Sequence, residues 1–237
     1  MSDGRVPIQG FDWRAFDAYL FDIDGTLLNS RDGVHYHAFH AGLREAYGCD
    51  EKIDGVPVHG NTDIGILRAA TRLAGIGEEE FRRGLPKAIA TMQAEVERNA
   101  AGMLPQVCPS IEKLLTELRA EGKLLAVASG NLEPIGWAKL RAANLARFFS
   151  FGSFSDRHET RTEIFRYGAE RAREILGTEA RVCFVGDTPN DVAAARELSL
   201  PVIAVATGTY TYDQLCATGP DICLTCCDDL FAGLESR

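Results

Sequence analysis

The stretch YLFDIDGTLLNS, residues 19–30, decides how this chain is read. It begins as a run of strand-forming apolar residues, then places two carboxylates, Asp22 and Asp24, one residue apart ahead of Gly25 and Thr26. Burying one unpaired charge is costly, and two close together are worse unless a cation or protons offset them. A strand that ends in such a pair predicts a site where something balances negative charge.

Working outward, the runs at 18–23, 124–128, 181–185 and 202–205 share this nearly all-apolar character. Continuous rather than alternating hydrophobicity predicts strands covered on both faces. Helical patterns over 110–120, 134–143, 162–176 and 189–198 predict right-handed crossovers between parallel strands. The expected fold class is α/β, a doubly wound parallel-sheet (Rossmann-like) core. Between the first and second strands lie about a hundred residues, far more than one crossover helix needs. That text reads as helices ending on glycines such as Gly48 and Gly75, a common way to close a helix. A small α-helical cap domain is therefore expected over 31–101, with 1–30 and 102–237 forming the core.

With 237 residues, 46% hydrophobic and 25% charged, the chain is long enough for a core plus an insertion and has the balance of a globular protein. Its 25 basic and 34 acidic residues leave a formal charge of −9, which argues against a binder of nucleic-acid backbones. Small anions stay open, because local N–H groups and a few cations can hold a phosphate within an acidic protein. No run approaches the ~20 apolar residues of a membrane span. The leading MSDGRVPIQGFDWRAF resembles neither a signal peptide nor an anchor. A cytoplasmic setting is expected. Seven scattered cysteines read as reduced thiols, and CLTCCDD, with neither a second pair nor a nearby His, is no zinc site.

In open α/β sheets, ligands gather outside the carboxyl ends of the strands. That rule brings together DIDGT, ASGN (128–131), GDTPND (186–191) and DRHETRTEIF (156–165). Two acidic loops, a hydroxyl loop and a basic segment suit phosphoryl transfer. Asp22 and Asp187 could hold a hard cation such as Mg²⁺, Ser129 and neighbouring N–H groups could cradle phosphate oxygens, and a nearby Arg could balance their charge. Each loop also has an ordinary reading: DIDG is a common turn, and Thr188, Pro189 and Asp191 suit a helix start. Their order, each directly following a buried strand, favours the functional one.

FDIDGTLL, LLAVASGN and VCFVGDTPNDV resemble the first, second and fourth motifs of the haloacid dehalogenase superfamily of phosphohydrolases. GNTD (60–63) and AVATGTYT (204–211) are most similar to its phosphoglycolate-phosphatase-like members. The resemblance implies Asp22 as the nucleophile that forms an aspartyl-phosphate. It implies Asp24 as acid for the leaving alcohol and base for the hydrolytic water, with its backbone carbonyl in the Mg²⁺ shell. Asp187 and Asp191 complete the expected metal group of Asp22, Asp24, Asp187 and Asp191, and Ser129 contacts the phosphate. An acid at Asp24 asks for a raised pKa, beside a nucleophile that stays ionised. Gly25, Thr26, Gly130 and Asn131 line the expected substrate site, with Thr62 and Asp63 from a cap loop that includes His59 and Asn61. Thr62 could equally cap the next helix.

The third motif departs from the pattern. No Lys precedes the helix near Thr162; the Lys position falls on Glu159, and Arg161 is the expected substitute, with Arg157 behind it. His35, His37 and His40 lack the spacing that puts two ligands on one helix face, so solvated or packing roles are expected. The reaction the resemblance implies is Mg²⁺-dependent hydrolysis of a small phosphorylated metabolite, a phosphoglycolate-like phosphate monoester, by a monomer or homodimer without nucleic-acid or membrane partners. A sugar-phosphate mutase of the same superfamily and a non-catalytic receiver-like phosphoacceptor are the alternatives. A dinucleotide-binding oxidoreductase is excluded, because no Gly-x-Gly-x-x-Gly follows the first strand.

Overall fold

The computed structural model describes residues 10–49, 53 and 55–231. The first nine residues, most of the leading segment judged above for signal character, lie outside it, as do the last six.

Six parallel strands form the sheet: β1 (Ala18–Phe21), β4 (Leu124–Ala128), β5 (Phe151–Ser153), β6 (Val182–Gly186), β7 (Val202–Val205) and β8 (Ile222–Leu224), in the order β5-β4-β1-β6-β7-β8. The doubly wound core expected from the apolar runs is what forms. Successive residues point to opposite faces, and both faces are covered. Tyr19, Phe21, Val127 and Val185 pack on one side with Leu114 and Leu118 of α4 (Ile111–Ala120). Leu20, Ala126 and Phe184 pack on the other with α6 (Arg161–Leu176) and α7 (Pro189–Glu197), where Phe165 stacks on Phe184 at 3.9 Å. The short edge strands β5 and β8 were not anticipated; at three residues each they carry too little pattern to read.

The insertion is helical: α1 (Val34–Tyr47), α2 (Asp63–Leu73) and α3 (Glu78–Asn99). α1 ends on Gly48 at φ +63°, whose N–H returns to the carbonyls of Arg44 and Leu43. Phe39, Leu43, Leu67, Phe81 and Met92 bury one another and meet Leu132, Ile135 and Ala138 from the start of α5 (Glu133–Ala142). The helices therefore rest on the sheet unit through α5. Where the chain leaves and rejoins the sheet unit, β2 (Leu28–Ser30) pairs antiparallel with β3 (Pro105–Val107).

The strand order sets the position of the site. From β1 the chain builds outward through β4 and β5, then returns to lay β6 on the other side of β1. Neighbouring crossovers diverge at this reversal, opening a crevice at the carboxyl ends of β1 and β6. Asp22 and Asp187 are the first residues beyond those two ends.

Candidate active site

Register brings the two loops together. Phe21 pairs with Val185, and the Asp22 N–H donates to the Val185 carbonyl at 2.9 Å. Asp187 thus lies next to Asp22, and α7 swings Asp191 in beside them. Asp22, Asp187 and Asp191 are all buried and offer carboxylate oxygens within 4.8 Å of one another. Asp191 is also tied locally, since its Oδ2 accepts from the Thr188 N–H (3.0 Å) and hydroxyl (2.7 Å) in the capping box that starts α7. The ordinary helix-start reading and the functional placement both hold here.

Arg161, the first residue of α6, lies among these acids. Its Nε and Nη2 donate to Asp191 Oδ1 at 2.7 and 2.6 Å, and Nη2 reaches Asp22 Oδ1 at 3.0 Å. The capping box of Thr160 and Glu163 fixes this helix start and so aims Arg161 inward. Glu159 instead pairs outward with Arg68 of α2 at 2.5 Å, and Arg157 is exposed away from the cavity.

The carboxylates are not alike. Burial, opposed by Arg161 and reinforced by Asp191 and Asp24, raises Asp22 to about 6. Burial together with Asp22 and Asp191 raises Asp187 to about 9. Asp24 moves the other way. Burial pushes it up, but the Lys139 charge, His35 and hydrogen bonds from Lys139 and Asn131 outweigh that and hold it below the usual carboxylate value. Asp24 is thus held low where a raised value was expected, while Asp22, at about 6, still ionises near neutral pH. The reason is Lys139, a 3%-exposed residue whose Nζ donates to Asp24 Oδ1 (2.8 Å) and Oδ2 (2.6 Å) and to Asn131 Oδ1 (2.8 Å). Asn131 Nδ2 donates in turn to Asp24 Oδ2 (2.7 Å) and Ser129 Oγ (2.8 Å).

Sequence reasoning passed over Lys139. Its signal was a lysine four residues after Ile135 on the buried face of α5, a place where a cation calls for a partner. The Asp24 side chain, turned to Lys139, stands apart from the acidic trio.

The other expected residues divide. Asp22, Asp24, Ser129, Gly130, Asn131, Arg161, Asp187 and Asp63 border one cavity of about 250 Å³, together with Lys139, His35 and His59. Thr62 does not: its hydroxyl accepts from the Gly65 N–H as the N-cap of α2 and donates to the Glu159 carbonyl at 2.8 Å. The capping alternative is the structural one. Gly25 and Thr26 also lie outside the lining and act behind Asp187. Thr26 Oγ1 donates to Asp187 Oδ1 at 3.3 Å, and Gly25, at φ +88°, leaves room where a Cβ would collide with that carboxylate.

Asp63 joins the helical insertion to the second-motif loop. Its N–H donates to the Gly130 carbonyl (2.7 Å), and its Oδ2 accepts from the Leu132 N–H (2.8 Å) and meets His35 Nε2 at 3.1 Å. His35 is thus part of the cavity wall rather than a solvated histidine, stacked on Phe39 at 4.8 Å. His37 is exposed and His40 packs on Tyr36, as their spacing suggests.

A haloacid dehalogenase-like hydrolase model matches residues 16–198, spanning every loop just described. The chain belongs to that family. Among curated relatives, the hydrolase is 26% identical to the probable phosphatase IndB of Dickeya dadantii, over 86% of each chain. It is 28% identical to the phosphoglycolate phosphatase of Synechococcus elongatus, over 90% of this chain and 94% of that one. In fold it is similar to a predicted phosphatase from Clostridium acetobutylicum, with a TM-score of 0.68 at 23% identity, covering 94% of this chain and 99% of the other. CbbY from Rhodobacter sphaeroides, solved with phosphate, gives 0.64 at 23% identity, over 88% and 93%.

Proposed function

We propose that this hydrolase is a Mg²⁺-dependent phosphatase acting on a small phosphorylated metabolite. The observation that carries the reading is the buried trio Asp22, Asp187 and Asp191 with Arg161 among them, at the switch point of the sheet. Three carboxylates around one guanidinium form a hard-oxygen donor set with excess negative charge, which a small divalent cation fits. Asp22, Asp187 and the Asp24 backbone carbonyl would hold the ion, with Asp191 oriented by Thr188 and Arg161 behind them. When bound, the ion neutralises charge on the transferring phosphoryl group.

The chain's own residues then divide the work. Asp22 attacks phosphorus and becomes the aspartyl-phosphate; Arg161, held by Asp191, orients that carboxylate and faces the phosphoryl oxygens. Ser129, with the Gly130 and Asn131 backbone, cradles the phosphate. Asp24, fixed by Lys139 and Asn131, stands as a carboxylate in the form that takes a proton from water in the second step. An arriving phosphate dianion raises its pKa so that it takes a proton from solvent, and that proton passes to the leaving oxygen in the first step. Lys139 is a positioning residue for Asp24. Residues 31–101 serve as a cap over this centre, joined to the core through Asp63 and Gly130.

The phosphatase names of the relatives favour hydrolysis over the phosphoryl shuttling of a mutase. A lid of helices over the acids likewise favours an enzyme over a receiver-like acceptor. Seven free thiols support a reducing, cytoplasmic setting. Phosphate release from p-nitrophenyl phosphate, with Mg²⁺ and with chelator, tests the proposal. Asp22→Asn should abolish turnover while the protein stays folded, and wild-type-like turnover in that variant would sink it.

A further inference from the structure

The cavity has two chemically different ends. One is the charged end of Asp22, Asp187, Arg161 and Ser129, which fixes the phosphoryl group. The other is built by the helical insertion. Phe39, one turn after His35 on α1, Ile66 of α2 and Ile53 of the intervening loop are each buried to 6% exposure or less, and half-buried Val58 continues the wall.

Several polar groups at this end, which Ser30, Tyr36 and Asn61 also border, are already engaged with one another. His35 Nε2 meets Asp63, whose carboxylate also holds the Leu132 N–H, and His59, exposed at the rim, meets the Thr209 hydroxyl. The formal charges bordering the route from the reacting centre toward the apolar wall are the carboxylates of Asp24 and Asp63, the former balanced by Lys139.

With the phosphate anchored, the alcohol to be released extends toward this wall. A second anionic group on it would lose water against Phe39, Ile53 and Ile66 and approach the Asp63 carboxylate, both unfavourable. An apolar or aromatic face would instead gain by burial there.

We infer that the substrate is a phosphate monoester of an uncharged alcohol presenting an apolar or aromatic face to Phe39, Ile53, Val58 and Ile66, rather than one carrying a second anion such as phosphoglycolate. This rests on the phosphatase reading above and departs from the names of the relatives. The cavity of about 250 Å³ suits an alcohol of modest size.

The test compares kcat/KM for benzyl phosphate, n-butyl phosphate and phosphoglycolate with Mg²⁺, with p-nitrophenyl phosphate as a check on reaction class. The esters of uncharged alcohols should exceed phosphoglycolate by about tenfold or more, the discrimination that one apolar contact supplies. In Phe39→Ala the benzyl-to-phosphoglycolate ratio should fall about tenfold, and in Ile66→Lys it should fall further as the new ammonium accepts the carboxylate. A ratio measured within one variant is independent of how much of it folds. Equilibrium binding of benzylphosphonate against phosphonoacetate repeats the comparison without turnover.

Phosphoglycolate cleaved as well as or better than the esters of uncharged alcohols, or phosphonoacetate bound as tightly as benzylphosphonate, overturns this inference and leaves the phosphatase standing. Failure to cleave any of the esters, p-nitrophenyl phosphate included, overturns the phosphatase reading and this one with it.

Discussion

Replacing Lys139 with Met separates the geometry of Asp24 from its presence. The ammonium makes two hydrogen bonds to the Asp24 carboxylate and one to Asn131, and it is 3% exposed. Breaking a fully buried pair costs roughly 3–5 kcal/mol. Here the Asp24 side chain is 41% exposed, so solvent screens and partly replaces the lost partner. The expected stability loss is therefore about 1–2 kcal/mol, with the unbranched Met filling the channel of the lysine stem.

Catalysis should suffer more. A positioned acid–base group contributes about 10²–10⁴-fold, and in Lys139→Met the carboxylate keeps Asn131 as an anchor, so a kcat loss of about 10–100-fold is expected. Lys139→Arg should recover part of it. An Asp with a depressed folded pKa stabilises above its unfolded value and loses that stabilisation as pH falls through the folded one. The stability penalty of the variant should accordingly be full at neutral pH and fade in acid. Urea melts across pH and steady-state kinetics on p-nitrophenyl phosphate measure both effects. A folded Lys139→Met enzyme within about twofold of wild-type kcat would refute the positioning role.

Arg161→Lys keeps a charge but not the fork that spans Asp22 and Asp191, so kcat should drop by about tenfold or more with the fold retained, as steady-state kinetics beside a thermal melt would show. Asp22 and Asp187 are raised to about 6 and about 9 from an ordinary value of 3.8, so the folded state binds more protons than the unfolded chain and, in chelator, stability should fall as pH rises through that window. Mg²⁺ should flatten the slope and Asp187→Asn should remove most of it; a chelated protein whose melting temperature rises with pH there contradicts the assignment. In Gly130→Ala the new Cβ would collide with the Asn61 carbonyl and force the helical insertion away from the second-motif loop. Its kcat/KM should fall well before its melting temperature does.

How far the molecule could be read in advance varied with the kind of interaction. Strands buried on both faces announce themselves as unbroken apolar runs, which is why β1, β4, β6 and β7 fell within a residue or two of their expected bounds. Asp22, Asp187 and Ser129 were legible because each follows such a run directly, and Asp191 because the resemblance to the fourth motif marks it. Arg161 could be picked out because the resemblance asks for a cation ahead of the helix near Thr162, and the capping box of that helix then aims it inward. Thr62 was ambiguous, since one hydroxyl serves a cap or a ligand with the same local sequence, and its contact with the Glu159 carbonyl comes from a segment 97 residues away.

What the sequence by itself determined is the sheet, the inserted helices and the order of the acidic loops, because hydrophobic period and turn chemistry act over a few neighbouring residues. Tertiary structure decided the partners of each carboxylate and the shape of the cavity. Lys139 lowers Asp24 from 115 residues away, and Phe39, Ile53 and Ile66 border the same cavity as Asp22 and Asp187 only through the three-dimensional fold. Electrostatics and desolvation depend on distance and burial in space, and separation along the chain encodes neither.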